Sequence, residues 1–148
     1  MKHHLADLEA RATALKNSGR NTEAAKLFAQ IVNEQPDWEH GTAFHLLAQC
    51  YEDSGQLELA EENYRAALRY EPENDIFLGG VASFLYQHGK PEDAFSAYIE
   101  VLDVYKSTGN AEGTASCMIA LEALGERFGW NRAAIAAKIE ESRPKQGH

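Results

Sequence analysis

Residues 24–28 read A-A-K-L-F, residues 60–64 read A-E-E-N-Y, and residues 94–98 read A-F-S-A-Y. Each stretch begins with an alanine and ends four residues later with an aromatic ring, and the three alanines lie 36 and 34 residues apart. A glycine stands five residues before each alanine, and another alanine stands seven residues before each glycine. A period near 34 residues predicts a stack of structural repeats, because no single unit of this size buries its own apolar face.

Each repeat is predicted to form two helices. In the second repeat, residues 44–51 carry large or small apolar side chains at the i, i+3, i+4 and i+7 positions of one helical face. Gly55 follows, and glycine adopts the left-handed conformation that often ends a helix. We expect Gly19 and Gly89, its counterparts in the other repeats, to have positive φ as well.

Alanines on both helices of a pair, such as Ala48 and Ala60, predict a close helix crossing, since small side chains let two backbones approach. Together, these recurring positions resemble the tetratricopeptide repeat family over roughly residues 5–106. The position where that family often has tryptophan holds Leu8, Phe44 and Leu78, which is a departure. The resemblance implies a small repeat-only protein of the all-α class, a right-handed α-solenoid of about eight helices.

The predicted domain organisation is a single domain over residues 1–142, followed by a flexible tail. Its repeats and tail have these approximate bounds: 5–38, 41–74, 75–108, a degenerate fourth helical pair at 110–142, and the tail at 143–148. The fourth pair departs from the repeat pattern, as terminal repeats that cap a stack commonly do. Two extra residues near Trp38 predict a lengthened junction between the first two repeats.

The charge and the apolar pattern exclude several classes of partner. Fourteen basic and twenty-three acidic residues leave a formal charge of −9, which opposes binding to nucleic acid and to anionic membranes. No apolar run approaches the roughly 20 residues of a membrane span, and the N-terminus lacks the apolar region of a secretory signal. Cys50 and Cys117 are expected to be reduced core residues, which favours a cytoplasmic location.

Motifs that carry catalysis or metal binding are missing from the sequence. No two histidines have the i, i+4 spacing of a helical zinc site, and neither H-E-x-x-H nor C-x-x-C occurs. There is also no glycine-rich phosphate-binding loop. We therefore expect no catalytic residue, no metal site and no cofactor, and a protein that is not an enzyme.

The resemblance also implies where a partner binds, because the first helix of each repeat lines a concave face in that family. Carried over in register, the predicted partner-binding residues are Thr13, Lys16, Thr42, His45, Gln49, Glu52, Asp53, Gly79, Ser83, Tyr86 and Gln87. Further positions of the same face are Glu9, Ile76, Glu112, Ile119 and Glu122. Few of these residues are basic, so the carboxylate-binding clamp known in the family is not expected.

These residues predict a neutral or basic protein segment as the partner. Tyr86 is the expected aromatic anchor, and Glu52 and Asp53 would attract a basic residue. The alternative is that all of them are ordinary exposed helix residues. A second alternative places the partner on the convex face, where Glu58 and Glu62 lie.

Gly79 and Gly80 are unusual inside a helix, where they cost on the order of 1–2 kcal/mol of helix propensity together. One interpretation is that a partner backbone approaches closely over a bare surface. The other is tight packing on the preceding helix, or a helix that begins later.

The leading hypothesis is a stand-alone, non-enzymatic interaction module that binds one partner protein or peptide in its concave groove. Two specific roles are open: a secretion chaperone, or a small acidic immunity inhibitor that masks a toxin. A third hypothesis is a structural subunit that self-associates through tyrosine and tryptophan surfaces.

Overall fold

The computed structural model describes residues 2–142, which form eight α-helices and one 3₁₀ turn and contain no β-strand. The α-helices are α1 (Lys2–Asn17), α2 (Asn21–Glu34), α3 (Thr42–Asp53), α4 (Leu57–Leu68), α5 (Asp75–His88), α6 (Pro91–Ser107), α7 (Ala111–Arg127) and α8 (Arg132–Ser142). The predicted all-α class and the number of helices are confirmed. Within this part of the chain, no helix has the length and apolar character needed to cross a membrane.

The helices belong to two compact units, one with residues up to Phe77 and one with residues from Leu78 onward. In the first unit, α2 packs against α1 and α3, and α3 packs against α4, around the fully buried Phe28 and Ile31. In the second unit, α6 packs against α7, and α8 contacts both. A single domain over residues 1–142 stays a prediction, and the predicted tail at 143–148 lies outside the described residues.

The recurring alanines are buried, as close packing of two helices requires. All six have no exposed surface: Ala12, Ala24, Ala48, Ala60, Ala82 and Ala94. The aromatic ring that follows four residues later is also buried in the first two repeats, as Phe28 and Tyr64. The predicted burial of Ala60 and Ala94 is thus confirmed.

Two of the three predicted turn glycines have the expected backbone conformation. Gly19 has φ 82° and Gly55 has φ 81°, but Gly89 is not in the positive-φ region, so the prediction for Gly89 was wrong. Its N–H continues the helical pattern by donating to the Leu85 carbonyl at 2.9 Å. Lys90 then turns extended, with φ −82° and ψ 139°, as the residue before Pro91 must.

The lengthened junction between the first two repeats is the 3₁₀ turn Trp38–Gly41. Glu39 and His40 have positive φ, 50° and 56°, which is uncommon for residues other than glycine. Trp38 is buried, and its Nε1 donates a hydrogen bond of 2.6 Å to Oε2 of Glu9 in α1. The extra residues therefore connect α2 to α3 while placing an indole ring in the core.

The degenerate fourth pair is formed by α7 and α8. Gly125 lies inside α7 and is buried, because Ile135 of α8 occupies the space where its side chain would be. A Cβ added to Gly125 would overlap Cγ1 and Cδ1 of Ile135. The glycine with positive φ is Gly129, which follows α7, and Asn131 caps α8 by accepting from the Ala134 N–H at 2.8 Å.

Both cysteines are free and buried, as predicted. Burial raises the pKa of each thiol to about 11, for Cys50 and for Cys117. A thiol with such a pKa is protonated at neutral pH and behaves as a small apolar core side chain.

Candidate partner-binding site

The first helices of the repeats, α1, α3 and α5, carry the predicted partner-binding residues. Ten of these eleven residues keep part of their surface accessible, and the exception is His45. Asp53 and Gln87 are exposed, and the other eight are half-buried. We call this accessible side of the three helices the first-helix face and describe it separately for each unit.

In the first unit, α1 and α3 present neighbouring parts of this face. Lys16 of α1 lies close enough to α3 that its charge lowers the pKa of His45 in addition to the larger effect of burial. Thr42 donates through Oγ1 to the Glu39 carbonyl at 2.8 Å, so its hydroxyl holds the start of α3. Glu9, expected on this face, instead accepts the hydrogen bond from Trp38.

His45 is the most enclosed of the predicted residues, with 6% of its surface exposed. Its ring stacks on Phe77 at a centroid distance of 5.3 Å and meets the Tyr64 ring edge-on at 5.4 Å. Burial first, and Lys16 second, lower the pKa of His45 to about 4. The ring is therefore neutral at physiological pH, and its role in partner binding stays a prediction.

One nitrogen of this ring has no hydrogen-bond partner. The Gln49 amide nitrogen lies 3.3 Å from Nε2 of His45, and an amide donor there places the proton of the neutral ring on Nδ1. Nδ1 is buried and bonds to no residue in the described part of the chain. His45 is therefore held by its two ring contacts and by the Gln49 amide.

Glu52 is bound to the neighbouring helix. Its Oε1 accepts a hydrogen bond of 2.6 Å from the Tyr64 hydroxyl of α4. Burial and this hydrogen bond raise the pKa of Tyr64 well above its ordinary value. Asp53, one residue later, is exposed and is the acidic group of α3 with the greatest access to solvent.

In the second unit, the part of α5 from Leu78 onward carries the accessible polar residues Ser83 and Gln87. The Gln87 amide donates to Oγ of Ser83 at 3.5 Å, one helical turn away. A Cβ added to Gly79 would meet no atom within 4 Å. Tight packing therefore does not explain Gly79, and α5 already begins at Asp75, so a later helix start does not explain it either.

Tyr86 is not the free ring that the sequence alone indicates. The Tyr98 ring of α6 meets it at a centroid distance of 6.2 Å and an interplanar angle of 89°. The guanidinium carbon of Arg127, in the last turn of α7, lies 4.7 Å from the centre of the Tyr86 ring. Sequence reasoning missed Arg127 because it stands in the degenerate fourth pair, where the repeat register no longer assigns positions.

In the second and third repeats, the tyrosine of the second helix contacts the residue at the same position of the first helix. Tyr64 contacts Glu52 through a hydrogen bond, and Tyr98 contacts Tyr86 through its ring, each partner standing 12 positions earlier in the chain. The first repeat has Lys16 at the matching position before Phe28. This position of the first helix is thus a lysine in the first repeat, a glutamate in the second and a tyrosine in the third.

The alternative site lies on the second helix α4. Glu58 and Glu62 are exposed there, and Glu61 forms an ion pair of 2.9 Å with Arg65. Elsewhere, residues 2–142 contain no group of three or more histidines, cysteines, aspartates or glutamates arranged to hold a metal ion.

Comparison with known proteins finds a family model that matches part of the chain. A family model for the tetratricopeptide repeat matches residues 45–111. A curated relative, the transcription factor tau 131 kDa subunit of Saccharomyces cerevisiae, is 27% identical over 95 residues. Those residues are 64% of this chain but 9% of that subunit, so the chain spans only about a tenth of the relative's length.

Two solved structures of the type III secretion translocator chaperone SycD from Yersinia enterocolitica share the fold. The first is 21% identical, with a TM-score of 0.77, and the match covers 88% of this chain and 89% of SycD. The second, which holds a peptide of the translocator YopD, is also 21% identical, with a TM-score of 0.72 over 84% of this chain and 95% of SycD.

Proposed function

We propose that this chain, which a tetratricopeptide repeat model matches over residues 45–111, is a non-enzymatic protein–protein interaction module. Within each unit, the first-helix face is the surface that binds a segment of the partner. The observation that carries this proposal is the accessibility of ten of the eleven predicted residues, when every recurring alanine beside them is buried. A face that the fold leaves open and lines with polar and aromatic side chains is suited to a polypeptide.

The titratable groups support a role without catalysis. An activated cysteine or tyrosine needs a lowered pKa, but burial raises the pKa of Cys50, Cys117, Tyr64 and Tyr98. His45 is enclosed by two rings and stands beside an amide rather than a nucleophile. No cofactor is required for the proposed activity.

The charge of the first unit favours a basic residue in the partner. Asp53 is exposed, and Glu52 keeps part of its surface accessible beside it. Their field adds to the formal charge of −9, which speeds the approach of a basic segment and opposes nucleic acid. The protein is proposed to work in the cytoplasm.

Among the specific roles, we favour a secretion-type chaperone that keeps a partner protein soluble. The likeness to SycD, one of whose structures holds a translocator peptide, supports this role over an immunity inhibitor. Self-assembly through tryptophan surfaces has less support, since Trp38 is buried and bonded to Glu9.

The substitution Gly79→Trp tests the site, because Gly79 lies on the first-helix face and a Cβ at this position meets no atom within 4 Å. The partner is captured from the native host, identified by mass spectrometry, purified and titrated. Gly79→Trp should weaken its binding by about tenfold or more through steric exclusion. Ser96→Trp, which introduces the same side chain at an exposed position of the second helix α6, is the control and should bind normally.

The alternative convex site has its own variant, Glu58→Lys/Glu62→Lys. Normal binding by Gly79→Trp together with lost binding by this double variant would move the site to α4 and refute the proposed face.

Tyr86→Ala should weaken the same partner by about 2 kcal/mol, because aromatic residues at the centre of an interface carry much of the binding energy. Isothermal titration calorimetry measures the change, and thermal unfolding shows that the variant is folded. An unchanged affinity would remove Tyr86 from the interface.

A further inference from the structure

The pairing of Arg127 with Tyr86 defines a specific contact in the second unit. The guanidinium carbon lies 4.7 Å from the Tyr86 ring centre, and Tyr98 holds the same ring from its edge. Arg127 is exposed, and Tyr86 is half-buried. An arginine that contacts a ring in this way loses part of its side-chain freedom before any partner arrives.

The ring contact leaves the guanidinium able to form hydrogen bonds. A guanidinium has five N–H donors, which lie in its plane. Within residues 2–142, Arg127 forms no side-chain hydrogen bond and no ion pair, whereas Arg20 and Arg65 each hold a glutamate. Arg127 is therefore an exposed cation with donors available to a partner.

We infer that Arg127 binds an acidic side chain of the partner segment, an aspartate or a glutamate, and that Tyr86 positions the guanidinium for this contact. The inference rests on the proposed function. It adds a feature of the partner, an acidic residue, that the proposed function does not specify. A carboxylate is the group whose charge and two oxygens match the flat edge of a guanidinium. Ile119, earlier on α7 and 69% exposed, offers an apolar contact on the same helix.

The surrounding charge limits how many acidic residues the segment carries. Glu122 and Glu126 also lie on α7, and neither is buried, so they repel further carboxylates. The segment expected in the second unit therefore has a single acidic residue at this contact, rather than an acidic run.

The test uses a phage-displayed library of random peptides of about 12 residues, a length that an interaction groove accommodates. The purified chain, its Arg127→Gln variant and its Arg132→Gln variant are immobilised separately. Arg132→Gln is the matched control, because it removes the same charge from an exposed position in the same unit. Circular dichroism confirms the helix content of each protein before selection.

Peptides selected by the wild type and by Arg132→Gln should be enriched in Asp or Glu at one position by about threefold or more, and those selected by Arg127→Gln should not. In a synthetic peptide from the wild-type selection, replacing that acid by its amide should weaken binding about tenfold to the wild type and hardly at all to Arg127→Gln. Tyr86→Leu should reduce the preference, and Tyr86→Phe, which keeps a ring face, should retain it. If Arg127→Gln unfolds, Arg127→Lys takes its place and should weaken the preference, because lysine lacks the planar donor edge.

The outcomes separate the inference from the proposed function. Selected peptides without acidic enrichment, or enrichment that persists in Arg127→Gln, would overturn the role of Arg127 and leave peptide binding intact. If the wild type retains no peptide at all, both the inference and the proposed function fail.

Discussion

His45 in α3 and Gly79 in α5 occupy the same position of successive repeats, but the space at that position is filled in the first unit and open in the second. In the first unit, a ring fills it, 6% exposed, between Phe77 and Tyr64. In the second, the position has no side chain, and a Cβ would find open space. The repeat pattern therefore constrains the backbone conformation and the buried alanines, whereas the residues of the first-helix face differ from repeat to repeat.

The neighbouring position shows the same freedom. Glu52 accepts a hydrogen bond from the second-helix tyrosine, whereas Tyr86 meets the equivalent tyrosine ring against ring. The tyrosine on the second helix is the same in the two repeats of this chain, and the residue it contacts changes from an anion to an aromatic ring. This position thus carries an acidic residue in the first unit and, in the second, a tyrosine in contact with an arginine.

The largest expected effect on stability concerns His45, which fills this position in the first unit. The pKa of His45 is 6.5 in an unfolded chain and about 4 in the fold, so the unfolded state binds more protons between these values. Stability from this residue is complete above pH 6.5 and falls as the pH drops toward 4, by up to about 3 kcal/mol. Urea unfolding across this range should show the loss in the wild type and a smaller one in His45→Phe.

His3→Gln, which removes an exposed histidine of α1, is the control and should follow the wild type. If His45→Phe loses as much stability with acid as the wild type does, the enclosed ring is not the cause.

The second effect tests what the two units share. Ala60 and Ala94 have no exposed surface, so Ala60→Leu and Ala94→Leu should each lower the free energy of unfolding by about 1–3 kcal/mol through overpacking. Ala10→Leu, at an exposed position of α1, should have little effect. A urea midpoint that Ala60→Leu leaves unchanged would show that the helices do not approach closely there.

A comparable effect is expected at the enclosed glycine of the second unit. A methyl group at Gly125 would overlap the side chain of Ile135, which fills the space beside that glycine. Gly125→Ala should therefore destabilise by about 1–3 kcal/mol, despite the better helix propensity of alanine. In an Ile135→Ala background, the same change should cost less, and equal costs in both backgrounds would argue against this contact.

The smallest effect has the opposite sign. Gly79→Ala should stabilise the protein by about 0.5–1 kcal/mol, since alanine favours the helix and meets no atom there. Gly55→Ala, at φ 81°, is the contrasting variant and should destabilise. Thermal unfolding of the two variants measures both signs, and a destabilised Gly79→Ala would show that the position is not open.

The sequence by itself determined the helices, their pairing into repeats and the buried alanines. It also located the turns at Gly19 and Gly55 and the start of α6 at Pro91. These features follow from period, glycine conformation and proline geometry, all of which act within a few residues along the chain. At Gly89, the same local reasoning was wrong, because the proline two residues later imposed a different path on the backbone.

Only the tertiary structure decided which candidate side chains remain available. His45 is enclosed by rings of α4 and α5, Glu9 is bonded to the junction indole, and Tyr86 lies under Arg127 of α7. Each of these contacts joins residues far apart in sequence, where no periodic signal connects the partners. Helical spacing states which side of a helix a residue occupies, but the burial and charge of that residue depend on the side chains that other helices bring to it.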